Sequence, residues 1–184
     1  MALPTAKYRK MIEEKANQFM LPLWMYNGDI WPGSVWFEGL VMQESAGDPN
    51  ARRYEKHQDK ESPTDPDSPQ VDDGEVEDDA SYGLCQIMGT TAKGLLKLDP
   101  KVPMTMTFLY EPNLNLQLAA QLLHKLLLDV GLDVARALCR YNGGHSGDKI
   151  MPNGLYRRQE YVDLVVKRTK MVDEDIKQWR KQGI

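Results

Sequence analysis

The sequence is short of several things that would each open a functional class. It has two cysteines in 184 residues, Cys85 and Cys139, too few for a disulfide scaffold or a four-cysteine zinc site. Its three histidines, His57, His124 and His145, stand far apart and form no HExxH-type ligand spacing. No Walker A loop and no G-x-G-x-x-G occurs, which argues against nucleotide chemistry. No run approaches the roughly 18 apolar residues of a membrane span. The longest candidate, Phe19 to Tyr26, is interrupted by Pro22. It also fails as a secretory signal, because Lys7, Arg9 and Lys10 are followed by no clean apolar run and no small-residue cleavage site. A soluble globular chain is expected, long enough to bury a core as one domain spanning 1–184.

Charge is present but unevenly spread. The chain has 27 acids and 23 bases, a formal charge of -4. Residues 55–80 alone hold 11 acids and 2 bases, a local charge of -9, so the remainder carries +5. This acidic insert contains Pro63, Pro66 and Pro69 and almost nothing apolar. It cannot bury enough surface to offset its ordering entropy and reads as a flexible loop. Its Asp72, Asp73, Glu75, Glu77, Asp78 and Asp79 are hard oxygen donors, but they lack the ordered ligand pattern of a calcium loop, so neither metal nor cofactor is expected. The basic body suits an anionic polymer through long-range attraction. No basic stripe interleaved with aromatics points to nucleic acid.

Outside the insert the pattern is helical. Tyr8, Met11, Ile12, Ala16 and Phe19 recur at helical spacing. Pro22, Asn27-Gly28 and Pro32-Gly33 break the chain, and Ser34 is positioned to cap a helix from Val35 to about Glu44. That helix is apolar nearly all round, the mark of a buried one. Residues 81–89 read as extended, with Thr90 or Thr91 capping a short helix through Leu98. Asn113 to Val130 reads as the central helix of a bundle, with Gln117, Gln121, His124 and Lys125 as its narrow polar stripe. Gly131 ends it, Asp133 caps a helix through Arg140, and Tyr141 to Gly147 reads as a loop. A last helix spans Gly154 to Lys181, with Tyr161, Leu164, Val165, Met171, Val172, Ile176 and Trp179 inward. The expected fold is mainly α, a helical bundle around a central buried helix with a small β region.

Glu44 is the misplaced residue in this pattern. It follows Leu40 by one turn at the end of the buried helix. A carboxylate there is costly unless paired or protonated, and desolvation raises its pKa toward what a general acid needs. A glutamate past the helix end and facing water is the plain alternative.

The residues around it carry a resemblance. Glu44 to Ala51 (ESAGDPNA) resembles the E-S-x-x-x-P-x-A segment of the soluble lytic transglycosylase family, whose fold is lysozyme-like. Gly83 to Ala92 (GLCQIMGTTA) is similar to its G-L-M-Q-I-M-P-x-T-A, Leu109 to Leu116 (LYEPNLNL) to its L-F-D-P-x-x-N-I, and Ala137 to Gly144 (ALCRYNGG) to its A-L-A-A-Y-N-A-G. Tyr161-Val162 matches its closing Y-V element. The four longer segments stand in the family's order.

The resemblance implies cleavage of the β-1,4 bond between N-acetylmuramic acid and N-acetylglucosamine in peptidoglycan glycan strands. Glu44 corresponds to the family's catalytic glutamate. It protonates the glycosidic oxygen, then acts as base on the muramyl 6-hydroxyl, leaving a 1,6-anhydro product. That scheme departs from the two-carboxylate rule of most glycosidases. Ser45 is implied to orient the glutamate or substrate, and Gln86, Met88, Glu111, Tyr141 and Asn142 to bind substrate. Each also has an ordinary reading: a helix-end cap for Ser45, backbone satisfaction for Gln86, a half-buried ring with a wet hydroxyl for Tyr141, a turn pair for Asn142-Gly143.

Two departures from the family stand out. Cys85 and Cys139 replace Met and Ala in the motifs and are read as small buried hydrophobes, with pairing open. The acidic insert falls where the family places a small β region beside the cleft, as a lid or as a passive loop. Goose-type lysozymes share the Glu and G-L-M-Q elements but hydrolyse with inversion, and here Asp78 and Asp79 precede Gly83 as candidate water-positioning residues. A catalytically inactive peptidoglycan-binding module is the third reading. With no signal recognised, delivery to the cell wall is expected by a phage particle, holin release or a secretion machine, and a phage enzyme and a monomer are expected.

Overall fold

The computed structural model describes residues 2–54, 80–99 and 105–183. The acidic insert, and with it Asp78 and Asp79 and the candidate calcium donors, lies outside the described residues, apart from Ala80 at its end.

A short 3-10 turn at Ala6–Tyr8 leads into α1 (Arg9–Gln18), which buries Ile12 and Ala16. Next comes a hairpin of β1 (Trp24–Tyr26) and β2 (Asp29–Trp31). Asn27 and Gly28 both take positive φ, 50° and 87°, which is the backbone a tight two-residue hairpin demands. The register sets Trp24 opposite Trp31, both buried, with ring centroids 5.6 Å apart.

α2 (Gly33–Ser45) is the helix enclosed on all sides, burying Val35 through Met42 without a break. It starts before the expected position and Ser34 does not cap it. The Pro32 carbonyl begins the helix by accepting from Val35 N at 3.0 Å, and Gly33 sits so close to the Leu21 backbone that no side chain fits between them. Glu38, within this apolar run, is also buried. It accepts from Thr5 Oγ1 at 2.8 Å and from Arg9 Nε and Nη2 at 2.9 Å, while Arg9 reaches Asp175 at 2.9 Å. One carboxylate thus ties the N-terminal segment, α1 and the last helix to the core helix, and its lone pairs are met where water is excluded.

A three-stranded antiparallel sheet, β3 (Arg52–Tyr54), β4 (Ala80–Tyr82) and β5 (Ile87–Met88), follows α2 in order β3-β4-β5. α3 (Gly89–Leu96) has Met88 at its N-cap; neither Thr90 nor Thr91 caps it. It stops short of Leu98 because Lys97 turns left-handed, φ 56°.

After a 3-10 turn at Met106–Tyr110, α4 (Pro112–Asp129) begins. It buries Leu116, Leu118, Ala119, Leu123 and Leu127 but exposes Lys125, Leu128 and Asp129, so it is an amphipathic wall, and the central position belongs to α2. Asp133 caps α5 (Val134–Gly143) by accepting from Arg136 N at 3.0 Å. This helix continues past Arg140 through Tyr141 and Asn142, so the expected loop shrinks to a 3-10 turn at Gly144–Ser146.

α6 (Gln159–Lys181) starts five residues after Gly154 and packs most extensively on α2. Its buried stripe is Tyr161, Val162, Val165, Thr169 and Val172. Leu164 falls off that stripe and Trp179 runs past its end, so both are exposed, contrary to expectation. Where α2 and α6 touch, a Cβ on Gly39 would lie 2.9 Å from both the N and the Cα of Thr169. The architecture is the mainly α, lysozyme-like one, with a small antiparallel sheet at its side.

Candidate active site

The end of α2 is where the core helix meets the sheet. Ser45 Oγ donates to Leu84 O at 2.8 Å and accepts from Gly47 N at 3.1 Å, fastening the helix terminus to the β4–β5 connection. Ala46, φ 53°, and Gly47, φ 81°, then turn the chain away. Glu44 is left half-buried at the floor of a cleft of about 400 Å³.

The β4–β5 connection forms one wall, and a buried asparagine shapes it. Asn115 on α4 donates to Tyr82 O at 2.8 Å and Leu109 O at 2.9 Å, and accepts from Cys85 N at 2.8 Å. Gly83, φ 73°, passes this side chain so closely that a Cβ would lie 2.6 Å from Asn115 Nδ2. Gln86 is left-handed at φ 50°, an unusual state for a residue with a side chain and a recurrent one at functional sites. Its side-chain amide donates to Ala51 O at 3.1 Å and Gly83 O at 3.0 Å, which locks the turn. The sequence suggested an extended Gln86; it sits instead in the turn between the two strands.

The sheet's two-residue period sorts its side chains. Arg53, Ser81 and Met88 stand opposite one another across three strands and all line the cleft. Arg52, Tyr82 and Ile87 form the reverse face, where Arg52 lies over the Tyr82 ring at 5.5 Å and Tyr82 and Ile87 are buried.

The other wall comes from α5 and α6. Tyr141 and Asn142, in the last turn of α5, line the cleft together with Arg158. The Tyr141 hydroxyl is not wet: it donates to Cys85 O at 2.7 Å, joining the two walls. Tyr161, in the first turn of α6, donates its hydroxyl to Glu44 Oε1. Burial first, and then the charge of Glu44 among other neighbours, pushes the Tyr161 phenol well above its ordinary value. Burial, then Cys85 and Glu44, does the same to Tyr141. Both phenols are therefore fixed as neutral donors.

Beneath this wall, Asp148 is buried against Arg136, whose Nη2 donates at 3.0 Å, and Arg140, whose Nε lies at 3.0 Å but is misaligned for a hydrogen bond. Burial raises the Asp148 carboxyl, but its hydrogen bonds and the charges of Arg140 and Arg136 outweigh that and hold it below the usual range.

Glu44, Gln86, Met88, Tyr141 and Asn142 thus meet in one cleft. Ser45 stands behind it as the fastener of α2, and Glu111 is engaged elsewhere, capping α4 by accepting from Asn113 N at 3.1 Å and Leu114 N at 2.6 Å. No motif in the sequence marks Arg53, Ser81 or Arg158 as site residues, and helical periodicity marks Tyr161 only as facing the core. Cys85 and Cys139 are free, buried thiols. Burial, followed by nearby carboxylates, raises both, Cys139 to about 12, so neither is a nucleophile at ordinary pH.

Among the described residues, no group of His, Cys, Asp and Glu is arranged to hold a metal ion, and no helix is long and apolar enough to cross a membrane. A comparison with curated proteins finds no match. A family model described as the Transglycosylase SLT domain matches residues 31–158, a stretch that runs from β2 through α2, the sheet and α5 to Arg158 at the edge of the cleft. The chain belongs to that family, the lytic transglycosylases that act on peptidoglycan.

Proposed function

We propose that the chain cleaves the MurNAc-β-1,4-GlcNAc bond with Glu44 as its single acid and base, releasing a 1,6-anhydromuramyl end. One observation carries the reading: among the described residues Glu44 is the one carboxylate lining the cleft, and it is gripped by a buried phenol that stays protonated. A protonated Glu44 gives its proton to the glycosidic oxygen as the bond to the muramyl anomeric carbon breaks. The carboxylate then takes the proton of the 6-hydroxyl as that oxygen closes on the anomeric carbon. The proton count balances, no water is consumed, and the glutamate ends as it began.

The Tyr161 hydrogen bond orients Glu44 and supports its charged state between the two steps. Ser45 holds the end of the helix that presents Glu44. Gln86 locks the β4–β5 turn, Tyr141 ties the two walls together, and Asn142 and Met88 offer polar and apolar contact to sugar.

Digestion of purified peptidoglycan followed by mass spectrometry of the muropeptides tests this. The expected product carries 1,6-anhydromuramic acid, and Glu44→Gln lowers the rate by about two to four orders of magnitude, the scale of a lost general acid and base. Reducing muramic ends would replace this reading with an inverting hydrolase and direct attention to Asp78 and Asp79. Wall binding without cleavage would make the chain a binding module. Unchanged cleavage by Glu44→Gln would remove Glu44 from the mechanism. The place of action we propose is the cell wall, where the substrate lies.

A further inference from the structure

Residues 149–158 contain three bases and no acid, and their large aliphatic side chains are left in water. Ile150 is 66% exposed, Leu155 50% and Met151 40%. The backbone folds this stretch into a small hairpin. Arg157 N donates to Lys149 O at 2.9 Å, Ile150 pairs with Tyr156, and Met151 N donates to Leu155 O at 2.8 Å. Gly154, φ 80°, closes the turn by donating to Met151 O at 2.9 Å. Lys149 and Arg157 therefore stand opposite each other at the neck, and Met151 and Leu155 flank the tip.

The hairpin is firmly mounted at the rim of the cleft. Gly147, just before it, lies so close to Cys139 O that no side chain fits between them. Asp148 is buried against Arg136 and Arg140, and Arg158 N donates to Gly147 O at 3.1 Å before its side chain lines the cleft. Because two arginines meet the charge of Asp148, that acid leaves the charges of Lys149 and Arg157 unanswered. Arg157 donates to Ser146 Oγ at 3.2 Å, a neutral partner. Scattered exposed aliphatic residues are ordinary on a protein surface. Three within six positions, above a pair of exposed bases, are the composition of an element that lies in a membrane interface.

We infer that the hairpin at 149–157 docks on an anionic lipid surface, with Ile150, Met151 and Leu155 entering the headgroup region and Lys149 and Arg157 meeting lipid phosphates. The two halves of the hairpin select this occupant together. An anionic wall polymer would attract the bases but gives the aliphatic tip nothing to enter. An apolar protein groove would take the tip but leaves the bases without counter-charge. A bilayer of anionic lipid is charged outside and apolar beneath, which matches the order of neck and tip. Half-buried Tyr156 lies between them, at the level where amphipathic rings settle in an interface. Docking of this kind holds the cleft beside wall material next to the membrane. It goes beyond bond cleavage and stands whether or not Glu44 is the acid.

The test is flotation of the full chain with vesicles of phosphatidylcholine alone and of an equal mixture with phosphatidylglycerol. The native protein is expected to float with the mixed vesicles and to be released in part by added salt. Ile150→Ser combined with Leu155→Ser lowers that binding at least about tenfold, the scale of two aliphatic side chains kept out of an apolar medium. Leu155→Ser alone gives a smaller loss in the same direction. Lys149→Gln combined with Arg157→Gln lowers binding to mixed vesicles about ten- to thirtyfold, the scale of two charges at an anionic surface. All these variants keep native kcat and KM on soluble glycan strands. Met25→Ser with Ile30→Ser, which trims the exposed pair on the β1–β2 hairpin, leaves vesicle binding unchanged.

A native protein that ignores mixed vesicles, or binds both compositions equally, would overturn the inference. So would serine variants that float like the native protein while the glutamine pair is lost, since that is charge attraction without docking. Binding that follows Met25 and Ile30 would move the surface to the other hairpin. A raised KM on soluble strands with vesicle binding kept would make the 149–157 hairpin part of the substrate surface instead. Thermal unfolding of each variant separates lost docking from a lost fold.

Discussion

Tyr161 donates its hydroxyl to Glu44 although the two residues lie 117 positions apart in the chain. α2 presents the carboxylate and α6 presents the phenol, so their meeting depends on the broad packing of those two helices. The relationship converts a helix-helix interface into a constraint on one carboxylate oxygen of the cleft. Tyr161→Phe removes the hydrogen bond and almost nothing else. The expected result is a fall in kcat of about ten- to a hundredfold, the worth of one hydrogen bond to a charged group, with KM little changed. Steady-state kinetics on defined strands measures the split, and a change confined to KM would show that Tyr161 binds substrate instead.

The same burial predicts how stability responds to alkali. Tyr141 and Tyr161 have ordinary values of 10.0, Cys85 and Cys139 of 9.0, and all four are raised in the fold, chiefly by desolvation. For a group raised by folding, the unfolded chain loses its proton first. Stability is therefore full below the ordinary value and declines as pH rises from there toward the folded one. The denaturant midpoint is expected to be steady to about pH 9 and to fall above it, most steeply through the range ending near 12 where Cys139 titrates. Cys139→Ala should soften the onset of that decline, measured by urea unfolding at stepped pH.

Acid acts through a different group and with the opposite sign. Asp148 is lowered from its ordinary 3.8 because Arg140 and Arg136 outweigh its burial. Its contribution is full above the unfolded value and is lost as pH falls below it, through the folded value. Asp148→Asn should cost about 1–3 kcal/mol at neutral pH, since it leaves two guanidiniums without their counter-charge. The difference between the variant and the native chain should shrink in strong acid, a comparison that thermal unfolding at pH 7 and pH 2 makes directly.

The element most visible in the sequence was the buried helix, because a segment at residues 35–42 that is apolar except at Glu38 and Gly39 reads as a core helix. What periodicity could not convey is that Glu38 within that run is also buried. Its partners, Thr5, Arg9 and, through Arg9, Asp175, come from three other parts of the chain, and no local pattern announces such a pairing. Glu44 was legible for the opposite reason: its neighbours form a motif. Arg53 was not, because its direction depends on a strand register set by Ser81, on the far side of the acidic insert. Asp133 caps α5 as its residue type suggests, but two other helix starts failed in the same way. Ser34, Thr90 and Thr91 are good capping types, but Pro32 and Met88 occupy the cap positions, where chain direction is set by Gly33 against Leu21 and by β5 running straight into α3.

Glu38 makes a prediction of its own. Arg9→Leu would leave a carboxylate that is 1% exposed without its guanidinium, a change expected to cost about 3–5 kcal/mol. Pairing it with Glu38→Leu should recover most of that loss, because an apolar pair needs no compensation. A double variant no more stable than Arg9→Leu alone would show that the triad with Asp175 is needed for the helices to pack at all. Urea unfolding of both variants decides it.

The α2–α6 interface that brings Tyr161 to Glu44 leaves no spare room. At Gly39 the backbones of α2 and α6 approach so closely that a Cβ would meet Thr169 backbone atoms at 2.9 Å. Gly39→Ala must therefore move one helix, and overpacking of this kind costs about 1–3 kcal/mol. Trimming the partner cannot relieve it, since the obstruction includes the N and Cα of Thr169; the double variant Gly39→Ala with Thr169→Ala should remain destabilised. Because α6 also carries Tyr161 and begins just after Arg158, its displacement should lower kcat well beyond what partial unfolding explains. Activity measured at temperatures where the variant is fully folded separates the two. A variant that folds fully, is destabilised and yet keeps native kcat would show that the Glu44–Tyr161 geometry tolerates helix movement and that core packing does not govern activity.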